Sequence, residues 1–258
     1  MTTHRERLIE LEEVSLCYRL AKQRIPSFKE YAVHWMRGTL VHEELWALND
    51  MTMSIGRGES VGIIGHNGAG KSTLLKVISK VLTPTRGRLA VRGSVVPLLE
   101  LGMGFDVELS GLENIYLNAL LLGRSRVEID RALDGIVETS GLGDFVRAPI
   151  RNYSSGMMAR LGFAVATAWT PDILILDEVL AVGDAAFQTR CKERLQRFRE
   201  QGTTLLFVSH DPSAVLATCA RAMWIDHGRL RADGLAADVL GHYHVYSVER
   251  AQTPGLFA

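Results

Sequence analysis

A glycine-rich loop caught between a buried strand and a helix leaves a chain few folds to choose from. Residues 61–65 form the apolar run VGIIG, and Gly65-His66-Asn67-Gly68-Ala69-Gly70-Lys71-Ser72 follows as a complete G-x4-G-K-[ST] pattern. Beyond it, Leu74, Leu75 and Ile78 line one side of a helix. Glycines let such a loop wrap around phosphates, with successive N–H groups turned inward and the helix N-terminus adding its positive end. Lys71 is then the point charge for β- and γ-phosphates, and the Ser72 hydroxyl is a ligand for Mg2+. His66, Asn67, Gly68, Gly70 and Thr73 complete the cradle.

A second stretch agrees with the first. Residues 173–178 read Ile-Leu-Ile-Leu-Asp-Glu, a buried strand that delivers Asp177 to its carboxyl end. Ligands sit at that edge of open α/β sheets. Asp177 is placed to hold the Mg2+ shell and Glu178 to polarise an attacking water. From residue 156 the pattern alternates: helix 156–169, strand 173–177, helix 185–200, strand 204–209, helix 212–219, strand 222–226. Two period-two strands, 8–18 and 45–55, precede the loop, and a helical block at 112–147 interrupts the alternation. Its second helix carries Ser125 and Glu128 as a capping box, with Ile129, Ala132, Leu133, Ile136 and Val137 as its apolar stripe. A last amphipathic stretch covers 236–249.

Composition narrows the function classes. With 258 residues and 47% hydrophobic content, the chain has ample material for a core, which excludes disorder. Twenty-nine basic side chains balance 29 acidic ones, which argues against nucleic acid as a partner. No run approaches the roughly 18 apolar residues of a membrane span, and MTTHRERLIELEE has no apolar core of a signal peptide. Cys17, Cys191 and Cys219 show no pairing pattern and read as reduced thiols in a cytosolic protein.

Further motifs choose among phosphate-loop families. Tyr153-Ser154-Ser155-Gly156-Met157 resembles the signature motif of ATP-binding cassette (ABC) ATPases, usually LSGGQ. His210 in VSHD is similar to that family's switch histidine, and Ala181-Val-Gly-Asp184 falls where the family has its D-loop. The resemblance runs from residue 8 to about residue 235. YSSGM with Ala-Arg-Leu at 159–161, and Glu100-Leu-Gly102 where the family's Q-loop glutamine belongs, are similar to the branch exporting O-antigen or teichoic acid.

The resemblance implies an α/β fold: a RecA-like phosphate-loop core with an N-terminal antiparallel β subdomain and an inserted helical subdomain. One cassette spans 1–258, with 8–106 and 161–235 as β subdomain and core, 107–160 as the helical subdomain and 236–258 as a helical tail. It implies ATP and Mg2+ as ligands, with Tyr18 stacking on adenine. It also implies a head-to-tail homodimer in which Ser154, Ser155 and Gly156 close the partner's loop and Asp184 crosses the interface. Glu178 and His210 are the catalytic pair. Two copies join two integral-membrane permease subunits at the cytoplasmic face of the cell membrane, driving out a lipid-linked polysaccharide or, as the runner-up, another large or hydrophobic substrate. Glu100–Glu108 carries motion to the permease. An insertion with Ser27 and Glu30 as capping box and Phe28, Tyr31 and Trp35 on one face is read as core or as a docking surface. Tyr243 and Tyr246 are expected to pack within the fold. The roughly twenty residues after the core are too short for the glycan-binding β-sandwich that some relatives carry.

Overall fold

The computed structural model describes residues 6–21, 42–98, 102, 104–176, 185–209 and 211–252. Two long strands, β1 (Arg7–Ala21) and β2 (His42–Gly56), pair antiparallel, and β4 (Arg86–Val91) adds to the far side of β1 in the order β2-β1-β4. The second sheet contains β3 (Ser60–Ile64), β5 (Val95–Pro97), β6 (Ile173–Leu176), β7 (Thr204–Val208), β8 (Arg221–Asp226) and β9 (Arg229–Leu235). Its order is β5-β6-β7-β3-β8-β9, parallel throughout except for the β9 edge.

Strand β6 shows why its sequence is unbroken Ile-Leu-Ile-Leu. Ile173 and Ile175 join the core shared with β1, β2 and helix α1 (Lys71–Ile78). Leu174 and Leu176 turn to the opposite core, under helices α4 (Ser155–Ala166), α5 (Ala185–Glu200), α6 (Pro212–Thr218) and α7 (Ala236–Gln252). A parallel strand covered on both faces has no place for polar residues. Helix α7 seals β8 with aromatic contacts: the Trp224 ring lies 5.6 Å from Tyr243 and 4.9 Å from Tyr246. Both tyrosines thus pack within the fold.

Helices α2 (Gly111–Leu121) and α3 (Arg126–Ser140) build a third core with α4, through Ile115, Ile129, Ile136, Leu161 and Val165. Both start on full capping boxes, Ser110 with Glu113 and Ser125 with Glu128. Each box satisfies end-of-helix N–H groups and contributes about 1 kcal/mol. Cys17, Cys191 and Cys219 are free thiols, and burial pushes Cys191 up to about 11 and Cys219 up to about 12. No helix among the described residues is long and apolar enough to cross a membrane.

Candidate functional site

The phosphate loop forms where β3 ends and α1 begins. Gly70 caps α1 at φ 107°, a left-handed backbone that suits glycine. A Cβ there would also stand 2.6 Å from the Ala47 carbonyl oxygen, so alanine is excluded twice over. No side chain caps α1. Its first-turn N–H groups therefore have no partner within the helix, and an anion suits them. Asn67, Gly68 and Ser72 are exposed, while Ala69 is buried and anchors the loop.

Lys71 is 7% exposed, and its Nζ donates to Gly65 O at 2.6 Å and to His66 O at 2.9 Å. An ammonium held by the loop's own carbonyls stands ready for a phosphate that replaces them. The loop is in turn braced from two sides. Gly228 N donates to Ala69 O at 2.8 Å, and Asn49 N donates to Gly228 O at 2.9 Å. The turn between β8 and β9 thus ties the loop to β2.

The signature stretch opens α4. Ser154 is the N-cap, its hydroxyl accepting from Met157 N at 3.2 Å, and Ser154 and Ser155 are both exposed. Tyr153 is buried, and its hydroxyl donates to Phe145 O at 3.0 Å, which fixes the chain just before the exposed serines. Burial raises its phenol above the ordinary tyrosine range. Gly156 follows in the first turn. Tyr18 lies in β1 opposite Leu45, half-buried against the core. Asp177, Glu178, Asp184, His210 and Glu100 lie outside the described residues, as does the 22–41 segment with Phe28, Tyr31 and Trp35.

Two polar anchors near these motifs carry no sequence signature. Asn114 is 0% exposed; its amide donates to Asp106 O and Ser110 O at 2.9 Å each, and its Oδ1 accepts from Asp106 N at 2.8 Å. It thereby pins residues 106–110 to α2. Asp226, 1% exposed, meets His66 across 160 residues of sequence. Nothing local marks either residue. The Ser110-x-x-Glu113 box, by contrast, is a local pattern readable in advance.

The residues present suit a nucleoside triphosphate: an uncapped helix start, a glycine cradle and a buried lysine facing the loop. The family model described as ABC transporter matches residues 48–181. The chain belongs to the ABC transporter family. It is an ATPase cassette of that family, and the fold implied by its motifs is the one found. The O-antigen export system ATP-binding protein RfbB of Klebsiella pneumoniae is 50% identical over 197 residues, covering 76% of this chain and 80% of that protein. The teichoic acids export ATP-binding protein TagH of Listeria monocytogenes serotype 4b is 41% identical over 201 residues, 78% of this chain and 60% of that protein. Among solved structures, a dimeric ATP-binding cassette in a post-hydrolysis state with ADP and Pi superimposes with a TM-score of 0.68 at 20% identity. That superposition covers 88% of this chain and 98% of the other.

Proposed function

We propose that this cassette hydrolyses ATP to drive export of a lipid-linked polysaccharide of the O-antigen or teichoic-acid type. The observation that carries the reading is the 50% identity, over three-quarters of the chain, to an O-antigen export ATP-binding protein. The similarity to a teichoic-acid export ATP-binding protein supports the same class of cargo.

In this reading Lys71 leaves the Gly65 and His66 carbonyls for the β- and γ-phosphates, and the α1 N-terminus holds the remaining phosphate charge. Ser72 and Asp177 would hold Mg2+, which when bound would neutralise charge on the phosphate oxygens. Glu178 orients and deprotonates the attacking water, and His210 steadies the γ-phosphate. Tyr18 stacks on the adenine. A second copy of the chain supplies Ser154, Ser155 and Gly156 at the start of its α4, and Asp184 crosses between the copies. The exposed serines beside a helix N-terminus support that role: Ser154 is the cap, and Ser155 is exposed in the first turn.

The permease contact falls on the face formed by Phe105, Asn118, Leu121, Leu122 and Gly162, which line a cavity of about 180 Å³. Leu120 and Leu121 are 54% and 73% exposed beside it. Apolar side chains left in water at one edge suit a membrane subunit's cytoplasmic loop. In this reading the cassette sits at the cytoplasmic face of the cell membrane, held there by its permease.

The test replaces Glu178→Gln in the native strain and follows lipid-linked glycan. The expected result is ATP-bound, closed dimers, glycan accumulating in the cytosolic leaflet and glycan lost from the surface. Normal ATP turnover would overturn the role of Glu178. An unchanged glycan pool, with the variant expressed and ATP-bound, would overturn the cargo and leave another large or hydrophobic substrate.

A further inference from the structure

Beside the phosphate loop lies a polar cluster of side chains that includes the loop's own His66. His66, Asp226 and His227 present side-chain ligand atoms that all lie within 4.8 Å of one another. His66 Nε2 stands 3.0 Å from Asp226 Oδ1, and His227 Nε2 stands 3.8 Å from the same oxygen. Donors about 2.0–2.1 Å from a tetrahedral Zn2+ are about 3.3–3.4 Å apart, a value these two separations bracket.

We propose that His66, Asp226 and His227 form a binding site for a borderline divalent metal ion of the Zn2+ type, joining the phosphate loop to the β8–β9 turn. The outer contacts are those a metal site needs. His66 Nδ1 lies 2.6 Å from Asn67 O, and a carbonyl only accepts, so Nδ1 carries the hydrogen. In the neutral ring this turns a bare Nε2 toward the carboxylate oxygen, two acceptors face to face that a cation satisfies together. A backbone carbonyl on the far nitrogen is the usual way a ligating histidine is oriented. Arg231 Nε donates to Asp226 Oδ2 at 3.2 Å, which steadies the carboxylate and leaves Oδ1 for the ion.

The third donor is held at a backbone cost. His227 sits at φ 46°, a left-handed conformation uncommon outside glycine and asparagine, in the turn that also bonds Ala69 and Asn49. Its ring lies 5.1 Å from that of His66 and is 58% exposed, so a small rotation completes the set. Two imidazoles and one carboxylate select against Mg2+, which prefers oxygen donors, and so separate this site from the nucleotide's metal. Three protein donors leave one tetrahedral position for water or an exogenous ligand.

The test titrates chelator-stripped full-length protein with ZnCl2 at pH 7.5 against a chromogenic competitor, with millimolar MgCl2 throughout, and counts bound zinc after dialysis. The expected result is one Zn2+ per chain, with affinity weakened about tenfold or more in His227→Asn. Asparagine accepts the left-handed backbone, so that variant keeps the turn. Zinc should raise the melting temperature of the wild type in a concentration-dependent way, and His227→Asn should need about tenfold more zinc or more for the same rise. His66→Gln serves as the second variant and should lose zinc equally. Equal zinc affinity in His227→Asn, displacement by Mg2+, or no binding at a hundred micromolar would each overturn the proposal; the last would leave the pair joined by a proton alone.

Discussion

Lys71 concentrates the chemistry of this chain in one side chain. It is buried and held by two carbonyls, so removing it takes away the one cation that the loop encloses and leaves Gly65 O and His66 O without their donor. Lys71→Ala should lower ATP hydrolysis about 100-fold or more, the scale seen when one preorganised charge is deleted. Coupled-enzyme turnover with purified protein checks this, and a melting curve should show the variant still folded. Lys71 was legible from spacing alone, because a G-x4-G-K-[ST] run after a buried strand permits few other readings. The surroundings of Lys71 were not. The bracing of Ala69 by Gly228, and the approach of Asp226 to His66, join residues about 160 apart through a sheet whose order no local pattern reveals.

The helices and strands differ in how far their sequences announced them. β6 is an unbroken apolar run, β7 is apolar after Thr204, and α3 has both a capping box and a stripe, so each stood out. β4 and β9 did not. β9 alternates faces along Arg-Leu-Arg-Ala-Asp-Gly-Leu, but two of its inward residues are alanine and glycine, too small to signal a strand. β4 exposes its first three residues, Arg86, Gly87 and Arg88. Asn114 shows what an element gains from one buried amide. Asn114→Ala would leave the Asp106 N–H without its acceptor and should cost about 2 kcal/mol. Urea unfolding measures that cost. Asp172 joins three connections at once: it accepts from Ser94 N at 2.9 Å and from Arg57 at 2.8 Å, just ahead of β6. The Ser94 amide foremost, with the Arg57 guanidinium, holds its carboxyl below the usual range. That stabilisation is complete above the ordinary aspartate value of about 4 and disappears as pH falls through the folded value. Asp172→Asn should therefore be less stable than wild type by about 1 kcal/mol at pH 7. The gap should close below about pH 4, as followed by thermal melts across pH.

Across the whole molecule, the central strand of the parallel sheet is among the first made and the last to be flanked. Strand β3, which carries the phosphate loop, pairs with β7 through Ser60 and Leu205 and with β8 through Val61 and Arg221. From residue 60 to residue 205 the ribosome must add 145 more residues, which takes on the order of 10 s at ordinary synthesis rates. Until then β3 has an antiparallel neighbour sheet to pack on and no strand at either side. A nascent chain stalled at residue 200 should leave the 60–75 region open to protease, and one released beyond residue 226 should protect it; pulse proteolysis of arrested chains distinguishes the two. The ATP-binding loop is thus a late product of synthesis. A cell starved or stalled midway through this message holds a fragment that carries the full nucleotide motif and has no means of recognising nucleotide.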